Sequence, residues 1–365
     1  MSHCLLHTNA NHGGAFATSV ACDALVVEAQ TALADFLHAP DPAEIVFGAN
    51  MTTLTFALSR AVARTWRPGD EVLVTALDHD ANHTPWVLAA RDAGATVRVV
   101  GIRPEDGTLD VDDFRRQLSP RTRWVAFTAA SNALGTLTPV RTLVDLAHAV
   151  GARVAVDAVH YAPHLRMDVQ AWDAEVVVCS AYKFFGPHVG VLWGRRELLA
   201  EWPAYKVRPA PECLPDRWMT GTANFAGIAG TLAAVNYLAQ LGGPGSRCAA
   251  LDRAFAQIRT AEVALGQQLL AGLQTLPDVR VYGITAAERW PERVATVAFT
   301  HARYTPAELA GRLAEHGIFV WAGNYYALPL TTALGVEPLG MVRVGLLHYN
   351  TAAEVERLLA LLADW

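Results

Sequence analysis

Residues 152–188 read ARVAVDAVHYAPHLRMDVQAWDAEVVVCSAYKFFGPH, and this stretch decides the fold. It holds two short apolar runs, Arg153-Val154-Ala155-Val156 and Glu175-Val176-Val177-Val178-Cys179. Both are too short and too β-branched for helices, and they read as strands buried on both faces of a parallel sheet. A polar residue follows each run at once: Asp157 after the first, Ser180 and then Lys183 after the second. Open α/β sheets bind ligands beyond the carboxyl ends of their strands. An acid and a lysine 26 positions apart are therefore expected at one crevice.

Outward from this stretch, strand and helix patterns alternate. Towards the N-terminus the spacing predicts helices over 19–37, 53–66, 85–92, 111–118 and 143–150, with strands over 44–48, 71–75, 96–100 and 123–128. Residues 1–18 are expected to be irregular. Towards the C-terminus a strand over 191–193 pairs back, and a helix over 197–200 leads to a Pro- and aromatic-rich loop over 202–221. A helix over 225–241 follows, then Gly242-Gly243-Pro244-Gly245, then a long helix over 248–276. Short strands over 280–282, 295–299, 319–321 and 342–344, with helices over 306–315 and 352–363, complete the chain. The alternation predicts an α/β fold: a doubly wound, mostly parallel sheet with a smaller α+β C-terminal domain. The expected parts are an N-terminal entrance segment (1–18), a large domain (19–245) and a small domain (246–365).

The chain has 365 residues, 52% hydrophobic and 18% charged, which excludes a disordered protein. Its net charge of −6 gives no basis for nucleic acid or an anionic membrane as partner. No apolar run is long enough to span a bilayer, and MSHCLLHTNANHGG lacks a signal-peptide pattern. Five cysteines without CxxC spacing fit free thiols in a reducing cytoplasm. No histidine pair is read as a metal site.

A lysine at a strand end can hold pyridoxal phosphate through a Schiff base, and an aspartate can pair with the protonated pyridine nitrogen. The alternative is an aspartate helix cap and a surface lysine. The full pattern, Val-Asp-Ala-x-His followed by Ser-Ala-Tyr-Lys-Phe-Phe-Gly-Pro-His, favours the cofactor. It resembles the signature of the cysteine desulfurase-like family, the class V aminotransferases of fold-type I, from about residue 11 to residue 350.

The resemblance implies roles for further residues. Met51 (backbone N–H), Thr52 and Ser180 are the expected phosphate contacts, at a strand-to-helix turn whose free N–H groups favour an anion. Thr222 matches a motif that reaches the phosphate of a neighbouring subunit, which implies a homodimer with shared sites. His79, in Asp78-His79-Asp80-Ala81-Asn82, is expected to stack on the ring and to move protons near neutral pH. Asn132 and His160 are expected near the ring oxygen, Asn132 also at the substrate carboxylate. Arg343, followed by Tyr349-Asn350-Thr351, is expected to bind that carboxylate through its planar fork.

The pattern breaks at two places. Family desulfurases accept sulfur on a cysteine in a loop that corresponds here to Trp321-Ala322-Gly323-Asn324-Tyr325-Tyr326-Ala327-Leu328-Pro329. Tyr326 stands at the cysteine position, and a phenol does not replace a thiolate. The chain thus resembles a subgroup lacking the catalytic cysteine, similar to the pyridoxal phosphate enzymes of lincosamide antibiotic biosynthesis. The family's first strand has no counterpart, so the expectation is either a more open substrate entrance or one walled by the polar turn of Asn11 and His12. The expected activity is a C–S lyase acting by β-elimination on an S-substituted cysteine, with Lys183, His79 and Tyr326 catalytic and Tyr325 beside the substrate. The alternatives are decarboxylation coupled to oxidative deamination of a cysteinyl conjugate, cysteine desulfuration, and a non-catalytic binding protein. The S-substituent and the host pathway stay open.

Overall fold

The computed structural model describes residues 1–365, and the alternation expected from the sequence forms one large sheet and two smaller ones. The strands are β1 (Ile45–Gly48), β2 (Glu71–Thr75), β3 (Thr96–Val100), β4 (Ile102–Arg103), β5 (Thr108–Leu109), β6 (Thr122–Thr128), β7 (Arg153–Asp157), β8 (Val176–Ser180), β9 (Gly190–Gly194), β10 (Val279–Tyr282), β11 (Thr296–His301), β12 (Trp321–Gly323) and β13 (Met341–Gly345). The helices are α1 (Ala17–Leu37), α2 (Met51–Ala63), α3 (Thr84–Ala93), α4 (Val111–Gln117), α5 (Val140–His148), α6 (Val169–Trp172), α7 (Arg196–Glu201), α8 (Phe225–Leu241), α9 (Arg247–Gln274), α10 (Pro306–Glu315), α11 (Leu328–Ala333) and α12 (Ala352–Asp364). No helix is long and apolar enough to cross a membrane.

The large sheet runs β1-β9-β8-β7-β6-β2-β3. Only β9 is antiparallel to its neighbours, so the carboxyl ends of β1, β2, β6, β7 and β8 all meet one edge. Every residue of β2, β8 and β9 is buried, which explains the apolar runs 72–74, 176–179 and 191–193 within them. One core packs Phe36, Phe127 and Leu238 on one face, while Trp86, Trp124, Trp202 and Trp218 fill a second on the other. The small sheet, β10-β11-β13-β12, packs against α10, α12 and the far end of α9. Helix α9 serves two cores: Leu251, Phe255 and Ile258 join the first, and Leu265, Leu269 and Leu273 join the small-domain core.

Some expectations fail locally. The N-terminal segment is not wholly irregular, since Cys4–Thr8 form a π-helical turn and Cys4 packs with Cys22 and Phe225. The strand expected over 319–321 lies at Trp321–Gly323, because pairing with β13 sets Trp321 opposite Arg343 and leaves Phe319 exposed. The hairpin β4–β5 and helices α6 and α11 are too short to show a period.

The seam between the parts is polar and dry. Arg293, fully buried, has no carboxylate partner. Its guanidinium donates to the carbonyls of Ile284, of Thr296 at 2.6 Å and of Leu134 at 3.3 Å. Beside it Gly135 has a φ of 75°, and a Cβ there would stand 2.7 Å from the Thr296 carbonyl oxygen. Only glycine fits both the conformation and the approach. Arg293→Met is expected to strand these buried carbonyls and to cost about 2–4 kcal/mol. Urea unfolding checks this, and a loss below about 1 kcal/mol would show that the seam does not depend on the guanidinium.

Candidate active site

Loops from five parallel strand ends supply the floor of one cleft of about 1120 Å³. After β1 come Asn50, Met51 and Thr52, after β2 His79, and after β6 Asn132. Asp157 ends β7, and Ser180 with Lys183 follows from β8. The small domain closes the opposite wall with Trp321, Tyr325, Tyr326 and Arg343. The acid and the lysine read from residues 152–188 do meet in one crevice.

Asp157 is 3% exposed, and its Oδ1 accepts from the Val159 N–H at 2.8 Å. It has no basic partner, and burial raises its carboxyl to about 6 against the pull of Lys183. Lys183 forms no ion pair either. Its ammonium lies 5.1 Å from the Tyr182 ring centroid, and burial, with Arg343 adding to it, lowers its pKa.

The anion end is built on the first turn of α2. Asn50 caps the helix with a reciprocal Asn50–Thr53 capping box. The Met51 N–H, expected to face an anion, donates instead to Ser180 Oγ at 3.0 Å. Ser180 accepts that bond and donates to nothing in the protein. The Thr52 N–H has no acceptor, and the Thr52 hydroxyl meets only the Met51 sulfur at 3.6 Å. Gly190 lies opposite Ser180 and Gly48, where a Cβ would come within 2.4 Å of the Asn50 carbonyl carbon. The glycine lets the turn sit that close to the sheet.

His79 follows Asp78, a wholly buried carboxyl that accepts from the Asn82 amide at 2.8 Å and from the Thr75 hydroxyl. Asn82 in turn accepts from the Trp86 indole at 3.1 Å. This network fixes the turn. The His79 Nδ1 accepts from the Ala81 N–H at 3.0 Å, so a neutral ring carries its proton on Nε2. Burial and the nearby Lys183 push its pKa down to about 4, which corrects the expectation of a group titrating near neutrality. His160 also lines the cleft, with Nε2 engaged by Thr296 Oγ1 at 2.9 Å and Nδ1 free. Burial drives its pKa well down.

Asn132 joins the two domains. Its Nδ2 donates to the Tyr325 carbonyl at 2.9 Å, and its own carbonyl accepts from Arg343 at 2.7 Å. Its Oδ1 is buried without a partner. Arg343 lies 4.5 Å from the Tyr325 ring centroid and forms no ion pair. The Tyr325 hydroxyl donates to the Met341 carbonyl, so this ring lines the cleft beneath Arg343 with its hydroxyl already engaged. Tyr326 differs: its ring stacks on His79 with centroids 5.4 Å apart, and its hydroxyl has no protein partner.

Three expected site residues lie outside the cleft. Ser19 holds the Asn11 carbonyl at 2.6 Å, and Asp23 approaches His12 at 3.9 Å, so that polar turn folds onto the start of α1 and neither residue lines the cleft. Thr222 is exposed in an adjoining cavity of about 340 Å³. Conversely, His188, stacked on Tyr182 at 5.1 Å, lines the cleft without having been anticipated. The Gly-Pro-His ending of the lysine motif was its only signal.

The donor set fits pyridoxal phosphate. Hydroxyl and N–H groups without acceptors stand at one end, an unpaired buried carboxylate and an unpaired lysine on the floor, and an unpaired arginine on the wall.

Residues 1–358 match the family model for class-V aminotransferases. The chain is 32% identical over 363 residues to a cysteine desulfurase of Dickeya dadantii, covering 96% of this chain and 83% of that one. It is 32% identical over 372 residues to a probable cysteine desulfurase of Streptomyces coelicolor, covering 96% and 84%. Among solved structures, the apo cysteine desulfurase of Thermococcus onnurineus superposes with a TM-score of 0.89 at 26% identity, covering 100% of this chain and 89% of that one. A cysteine desulfurase of Escherichia coli gives 0.83 at 27% identity, covering 98% and 86%. The chain belongs to the class-V aminotransferase family and is a pyridoxal phosphate-dependent enzyme with the mostly parallel α/β fold of the cysteine desulfurases.

Proposed function

We propose that this enzyme is a C–S lyase that eliminates a thiol from an S-substituted cysteine, the released aminoacrylate taking up water to give pyruvate and ammonia. One observation carries the reading: no cysteine lines the cleft, and Tyr326 stands on the loop where the resemblance places the sulfur-accepting thiol. Cys4, Cys22 and Cys179 are buried, and Cys248 contacts Arg166. Cys213 is exposed on the loop before α8, its sulfur 3.8 Å from Asp216. The relatives' names favour a desulfurase, but that reaction needs a thiolate at the substrate sulfur.

Thr52 and Ser180 would hold the cofactor's phosphate, Asp157 its ring nitrogen, His79 its ring face, and Asn132 with His160 its phenolic side, while Lys183 binds it covalently. Bound there, pyridoxal phosphate supplies an electron sink for the charge left when a bond at Cα breaks. Arg343 binds the substrate carboxylate, its guanidinium already oriented by Tyr325 and the Asn132 carbonyl. Lys183 Nζ takes the Cα proton, and its lowered pKa increases the neutral fraction able to do so. The Tyr326 hydroxyl holds the proton that the departing sulfur receives. His79 stays neutral and donates from Nε2. The exposure of Thr222 outside its own cleft supports its assignment to the site of a second subunit in a homodimer. Five free cysteines support a reducing, cytoplasmic setting.

The test is incubation with S-alkyl cysteines. Thiol and pyruvate are expected in equal amounts, with neither alanine nor a protein persulfide. Cys213→Ala should stay within about twofold of wild type. Alanine formation together with a trapped persulfide would make the chain a desulfurase and end the lyase reading. Borohydride reduction of the holoenzyme should bleach the cofactor band and place the label on the peptide holding Lys183. A label on any other lysine refutes that assignment.

Asp157 gives a pH test in cofactor-free protein. Its carboxyl rises from 3.8 to about 6 on folding, so between those values the folded state holds a proton the unfolded state has lost. Stability therefore falls as pH rises from about 4 to about 6 and levels off above. Cofactor-free Asp157→Asn is expected to be about 2–3 kcal/mol more stable than wild type at pH 7, the gap closing by about pH 4. Denaturant titrations at both pH values check this, and a gap independent of pH would rule out the buried charge as its cause.

A further inference from the structure

We infer that the sulfur substituent accepted by this cleft is an uncharged planar ring, held by the side chains of Trp321 and Tyr326. The inference rests on the lyase reading for one thing, the orientation of the substrate: carboxylate at Arg343, sulfur towards Tyr326.

The frame is rigid. Trp321 on β12 lies directly opposite Arg343 on β13, so the two side chains leave the same face of the sheet side by side. A substrate anchored by its carboxylate at Arg343 therefore has an indole as its neighbour. Tyr325 and Tyr326 both adopt left-handed backbone, with φ of 56° and 59°. That conformation is costly for two bulky residues in succession. The loop is tied down by the Asp80 N–H on the Tyr326 carbonyl at 2.7 Å and by the Asn132 amide on the Tyr325 carbonyl at 2.9 Å. The strained turn sends one tyrosine under Arg343 and the other over His79.

The chemistry of the mouth is selective. Trp321 is 71% exposed and Tyr326 73% exposed, yet both line the cleft. Large aromatic faces held open to solvent beside a polar floor are ligand surfaces, and rings stack on them at low entropic cost. The cleft has a single acid, Asp157, which sits on the floor, so a cationic substituent finds no counter-ion. The nearest polar side chain on the loop, Asn324, is spent on Glu337 at 3.1 Å and on the Tyr326 N–H at 3.2 Å. The free polar groups left beside the substituent are the Tyr326 hydroxyl and the Trp321 indole N–H, each on the rim of an aromatic face.

The test compares two sulfur-free amino acids bound to the holoenzyme, 2-amino-5-phenylpentanoic acid and norvaline. They mimic S-benzylcysteine and S-methylcysteine but contain no bond that a C–S lyase can cleave. The phenyl compound is expected to bind at least about tenfold more tightly. Trp321→Ala should erase that preference while leaving norvaline affinity within about twofold, and Trp321→Phe should restore most of it. Equal affinities in wild type, or a preference that survives Trp321→Ala, overturns the inference. Because Trp321 is exposed on an edge strand, its truncation leaves the fold intact, which thermal melting of each variant verifies. Thiol release from S-benzylcysteine is scored separately: with the preference present and no thiol formed, the lyase reading fails and the aromatic clamp stands.

Discussion

A guanidinium with no carboxylate to answer it holds this enzyme's two halves in register. The floor of the cleft belongs to the large sheet and its wall to the small one, so their relative position is the central constraint on the site. Arg293 meets it by donating to carbonyls from both sides, and Gly135 meets it by having no side chain. An arginine can do this because its five donors are spread over a rigid fork. Asn132, a few residues from Gly135, then repeats the arrangement at the cleft, with its amide on the Tyr325 carbonyl and its carbonyl on Arg343. The carboxylate-binding arginine is thus placed by the same seam that joins the domains.

Buried polar groups shape the floor as much as apolar packing does. Asp78 touches no ligand position, yet it gathers Thr75, Asn82 and, through Asn82, Trp86 into a fixed turn. Its carboxyl is raised well above the usual range by burial, a cost that the bonds from Thr75 and Asn82 offset. What results is a histidine presented in one tautomer, too dry to pick up a second proton at physiological pH.

The large sheet was legible because strands buried on both faces leave continuous apolar runs, and the polar residues ending them fall on one edge by topology alone. Asp157, Ser180 and Lys183 follow from that rule, whereas Thr52 and His79 come from the family resemblance. What escaped depended on partners distant in sequence. Asn11 and His12 form a polar turn with no periodicity, and only Ser19 and Asp23 decide where it folds. Tyr325 and Tyr326 are adjacent and chemically alike, so nothing in the chain tells that one is bonded to Met341 and the other is free. The run Phe319-Val320-Trp321 has the composition of a strand, but the pairing of Trp321 with Arg343 sets where it begins. His79 was recognised as a site residue, while its loss of basicity required knowing how deeply the turn is buried.

Helix α9 is 28 residues long, about 42 Å, and it gives its first half to one core and its second half to another. The boundary expected near residue 246 thus falls just before a helix that both cores share. A chain severed there would lose Leu251, Phe255 and Ile258 from the larger core, and the smaller core would keep a helix half of whose apolar surface faces water. Each part is a portion of the other's solvent shield. Melting the substrate wall therefore strips apolar cover from the core beneath the cofactor floor, and melting the floor strips it from the wall.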